Sequence, residues 1–114
     1  MVKELRSLYP YKIYLVIGDD KTQAKFFNQY GVKWCGWYGA LAYVTPLEFK
    51  DQETQVAILS IKDKGIETTT LFHECLHLVI LTFEYIEMKL NNDTSEAATY
   101  FQVDLFNQVM DAIK

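Results

Sequence analysis

Residues 68 to 80 read TTTLFHECLHLVI and hold both histidines of the chain, His73 and His77, with Glu74 between them. Leu71, Cys75, Leu78, Val79, Phe83 and Ile86 recur at helical spacing through and beyond this stretch, which predicts a helix from Thr68 to about Met88. On a helix, positions four apart lie about 40° apart around the axis, one turn above the other. His73 and His77 therefore share a face and can reach one metal ion. Cys75 falls on the far side of the helix, among apolar residues, and reads as core.

The chemistry of the pattern follows from that spacing. Zinc accepts neutral imidazole nitrogen, and a catalytic site leaves one position open for water. Glu74 stands about 100° round from His73, beside the pair, where a carboxylate can act on that water as general base instead of binding the ion. The bland alternative is a helix with one histidine in a polar contact and the other at the surface. No third histidine exists, so a carboxylate must serve if the donor set is complete. Glu84 shares the face but lies seven residues past His77, about 10 Å along the axis, which is too far. Glu96, nineteen residues after His77, is the better candidate, and Asp93 the runner-up. Asp93-x-x-Glu96 also reads as a capping box, which would use Glu96 to close a helix start instead.

Around this centre the chain reads as one domain over residues 1–114. Of its 114 residues, 50% are hydrophobic and 15% aromatic, enough for one packed core and too few for a second lobe. YKIYLVIG, 11 to 18, predicts a buried strand, and a short helix over 21 to 30 follows, with Asp20 and Gln23 as its capping box and Gly31 at its end. GVKWCGWYGALAYVTP predicts a loop leading into a strand over about 40 to 45, stopped by Pro46. QVAILSIK, 55 to 62, predicts a further strand. A last helix runs from about Thr94, with Ala97, Ala98, Phe101, Leu105 and Val109 inward. MVKELRSL is an arm or a helical turn. The order β-α-β-β-α-α gives an α+β fold, a short mixed sheet of about three strands packed against the histidine helix and a C-terminal helix.

The formal charge is −4 without a basic run, which argues against nucleic acid as a partner. The longest apolar run is far short of a membrane span, and the N-terminal residues lack a signal-peptide pattern. Two cysteines, Cys35 and Cys75, make no disulfide framework, so a reduced, cytoplasmic setting is expected. Trp34, Trp37, Tyr38 and Tyr43 either line a substrate groove or, the commoner case in a small domain, fill the core.

HECLH followed nineteen residues later by SEAATY resembles the gluzincin arrangement of zincin metallopeptidases, in which a second helix supplies a glutamate from an E-A-type stretch. The chain is more closely similar to small HExxH proteins of tailed bacteriophages. There an aromatic-glycine stretch and strands precede T-x-x-H-E-x-x-H, and an E-A-x-x-Y segment follows. The similarity is loose over 34 to 106 and most specific over 68 to 101. It implies a zincin-like fold, Zn²⁺ as cofactor, His73, His77 and Glu96 as ligands, and Glu74 as base. Tyr100 stands where the thermolysin pattern has an aspartate that steers a ligand histidine; its hydroxyl can make that bond or stabilise an oxyanion. The implied activity is a zinc-dependent hydrolase, a metallopeptidase acting on a peptide or protein in a host cytoplasm. The alternative is a non-catalytic binding or assembly protein with a structural zinc.

Overall fold

The computed structural model describes residues 1–48 and 55–114. The elements run β1 (Val2–Leu5), β2 (Lys12–Ile17), α1 (Asp20–Asn28), β3 (Ala42–Glu48), β4 (Gln55–Ile61), α2 (Thr68–Tyr85) and α3 (Ser95–Ile113). The fold is α+β. Its mixed four-stranded sheet has the order β1-β2-β4-β3, with β2 and β4 parallel at the centre and antiparallel strands on both edges.

Strand pleating divides the sheet into two faces. Ile13, Leu15, Leu59 and Ile61 point to one face, where α2 and α3 cover them with Leu71, Leu78, Phe83, Phe101 and Leu105. Val16, Val56 and Ile58 point to the other, under Phe26 and Phe27 of α1 and the Trp34 and Trp37 indoles. The central pair is thus covered on both sides, and burying each Leu or Ile there is worth roughly 1.5–3 kcal/mol. Residues 55 to 62 suggest alternation, but even Ser60 is fully buried, because α1 and the tryptophan loop lie over the second face.

Four local readings differ from expectation, each for a physical reason. The N-terminal residues form a fourth strand that buries only Leu5 of its four residues, so no apolar run announces it; register with Val16 to Ile13 makes it an edge. The α1 cap is Asp19, whose Oδ1 accepts the Thr22 N–H at 3.0 Å; that bond holds the Asp19 carboxyl below its ordinary pKa. Asp20 accepts instead from the Trp34 indole N–H at 2.7 Å, and the Gln23 amide turns inward to the Val16 carbonyl at 2.9 Å. Third, Pro46 does not stop β3. It pairs in register with Ala57 and is exposed, as an edge strand permits for a residue without an N–H. Last, α2 ends at Tyr85 and α1 at Asn28, each short of the expected limit, with Gly31 in the left-handed region after α1.

This division of centre and edge is measurable. Leu59→Ala, at a fully buried central position, should cost about 2–5 kcal/mol in urea unfolding. Val2→Thr, half exposed on β1, should change stability by no more than about 0.5 kcal/mol.

Candidate metal centre

The rotation of α2 about its axis comes from its apolar stripe. Leu71, Cys75, Leu78, Val79, Thr82 and Phe83 are all buried against the sheet and α3. His73 lies two residues after Leu71, about 200° round, and His77 about 240° round. Packing the stripe inward therefore turns both imidazoles outward, and both are exposed. Their Nε2 atoms face each other at 3.1 Å, with ring centroids 4.9 Å apart and planes at 76°. The donor and acceptor in this contact are set by the tautomers of the two rings. Two nitrogens each about 2.0–2.1 Å from a tetrahedral zinc ion stand about 3.3 Å apart. The pair is therefore within a few tenths of an ångström of the bite a zinc ion needs, and the donors are of the right chemical type.

Glu74 occupies the flank between the pair and the sheet edge, half-buried. Burial pushes its carboxyl pKa up, and the nearby His77 and His73 partly oppose that rise. With His77 it lines a hollow of about 400 Å³ between α2 and β3, whose other walls include Ala42, Val44, Pro46, Ile80 and Leu81. Period-2 alternation places Ala42, Val44 and Pro46 on one face of β3. That alternation is the signal in the sequence for these residues, and ending the strand before Pro46 hides it. No strand pairs with the outer edge of β3 among the described residues. A larger hollow of about 670 Å³ lies beside the β1–β2 turn, lined by Arg6, Tyr9, Tyr11 and Lys12 among others, and includes neither histidine; volume alone does not mark the site.

The structure brings His73, Glu74 and His77 together and leaves Glu96 and Tyr100 apart. Among the described residues no group of three or more His, Cys, Asp or Glu side chains is arranged to hold a metal ion. Glu96 sits exposed in the first turn of α3, and with Tyr100, 73% exposed, it lines a separate shallow hollow. The capping box is not formed. Thr94 is the N-cap, and the Asp93 N–H goes to Asn91 Oδ1 at 2.8 Å. Asp93 is likewise exposed in the turn before α3. Of the four aromatics considered for a groove, Trp34 and Trp37 are core, packed edge to face at 4.9 Å. Tyr38 is 85% exposed, and Tyr43 borders the hollow but packs its ring on Trp37 and Trp34. No protein-family model, curated protein or solved structure matches the chain. The described residues include no helix long and apolar enough to cross a membrane.

The rotation of α2 has a direct chemical readout. Cys75 is fully buried, and burial, followed by the charge of Glu74, pushes its thiol up to about 12, whereas Cys35 is exposed. A thiol reagent on the native protein at neutral pH should label Cys35 and leave Cys75 unmodified until the protein is unfolded. Comparable labelling of the two would mean the histidine face is turned inward.

Proposed function

We propose that the protein is a zinc-dependent hydrolase acting on peptides. The observation that carries this reading is the convergence of the two exposed Nε2 atoms at 3.1 Å with Glu74 beside them in the hollow under β3. His73 and His77 would hold the ion through Nε2. Glu96, the carboxylate implied by the resemblance, joins them only if the start of α3 moves toward the pair. When bound, Zn²⁺ polarises the scissile carbonyl and acidifies water at the site.

The remaining steps belong to the chain. An extended peptide can add to the open edge of β3 through main-chain hydrogen bonds, which lays it across the hollow above His77. Glu74, on the flank of the pair, takes a proton from the attacking water on its carboxylate and returns it to the leaving amine. Its partial burial suits that exchange, because desolvation brings a carboxyl closer to the pKa at which it both accepts and gives a proton. Tyr100 would serve as oxyanion donor only together with the same movement of α3. The second reading is a non-catalytic binding or assembly protein that holds zinc for structure. The separation of Glu96 from the pair favours it, since two protein donors alone make an open and weak site.

Four variants separate the roles. His73→Ala or His77→Ala should abolish uptake of zinc at one equivalent per chain, followed by calorimetry. Glu96→Gln should lower zinc affinity by at least about tenfold if that carboxylate joins the ion; unchanged affinity would remove Glu96 from the donor set. Glu74→Gln should keep the zinc and the fold, and reduce hydrolysis of a broad peptide library about 10²–10⁴-fold. Wild-type protein loaded with zinc and inactive on every peptide would favour the binding protein.

A further inference from the structure

We infer that zinc in short supply joins two copies of this chain, each giving His73 and His77, into a four-imidazole site. This rests on the zinc reading of the histidine pair and not on hydrolysis. A tetrahedral zinc ion takes four donors, and structural sites fill all four from protein. Within one chain, as folded, the described residues offer two. Both are exposed on the outer face of α2, with their Nε2 atoms already close to the spacing of a bound pair. Two such pairs supply four neutral imidazoles, the full complement, without movement of α3.

The surface beside the pair suits a second copy. Phe72 and Leu76 each precede a histidine by one residue, so they form a parallel stripe about 100° round the helix. Each is 40% exposed, although both are large and apolar. Phe72 packs edge to face on Phe106 of α3 at 5.2 Å, which fixes one side of its ring and leaves the other open. An apolar stripe next to an ion site excludes water from it and strengthens each metal–nitrogen bond. The stripe is far smaller than the roughly 800 Å² per partner of a standard interface, and each chain carries a charge of −4. Two copies therefore do not associate by themselves, and a divalent cation supplies what the apolar contact lacks. A zinc ion held by four imidazoles has no open position, so the bridged pair is closed to water and Glu74 has nothing to act on.

The test uses the full chain and zinc alone. With half an equivalent of Zn²⁺ per chain, at tens of micromolar protein, light scattering should show the 13.3 kDa mass doubling, and a chelator should reverse it. His73→Ala and His77→Ala should stay single at every zinc level. Leu76→Asp, outside the donor set, should still bind zinc and raise the dissociation constant of the pair by about tenfold. Zinc uptake at half an equivalent with the mass unchanged would overturn the bridged pair and leave the single-chain zinc site standing. No zinc uptake at all would overturn both. Doubling that persists in the histidine variants would also overturn it, by showing that the ion is not the link.

Discussion

The contact that governs this molecule is the seating of one apolar stripe, Leu71 to Phe83, against the α2-facing side of the central strands. A helix has a single rotational setting once such a stripe is buried. Turning α2 by one residue, about 100°, would drive His77 toward the core and bring Val79 and Phe83 out to water. The burial of several large side chains outweighs any local preference of two imidazoles, so the histidines go where packing leaves room for them. That they emerge on the open face, with their Nε2 atoms converging, is a consequence of the phase between HExxH and the stripe.

The same seating explains the hollow. Glu74 and Leu81 lie on the side of α2 that approaches β3, and β3 is an edge because β4 takes its only described partner face. Pro46, which offers no N–H, is accommodated because β3 lies on that edge. The result is a carboxylate, an imidazole and an unpaired strand edge within one concavity. On the opposite face of the sheet, α1 and the tryptophans use comparable material only for packing.

Much of this was legible in the residues, and the exceptions have causes. The long amphipathic helices and the central strands were readable because their periodicity is set by burial on a large scale. Val2–Leu5 was not, because an edge strand that buries only Leu5 leaves no pattern. The aromatic residues from Trp34 to Tyr43 gave composition without direction; only the fold shows that Trp34, Trp37 and Tyr43 pack together while Tyr38 is exposed. Spacing along a helix fixes that His73 and His77 meet, because both belong to one rigid element. It says nothing about Glu96, which reaches the pair only through the turn at residues 86 to 94, where no periodicity constrains distance. Glu96 and Tyr100 lie apart from the pair in this fold.

The central claim is that His73 and His77 bind one ion together through Nε2. The chain has only these two histidines, so a nitrogen-15 NMR spectrum of the imidazoles contains their ring nitrogens and no others. On addition of Zn²⁺, both Nε2 signals should shift together to metal-bound positions, while both Nδ1 nitrogens become or remain protonated. Signals that stay where they are, or a shift confined to one ring, would contradict the account.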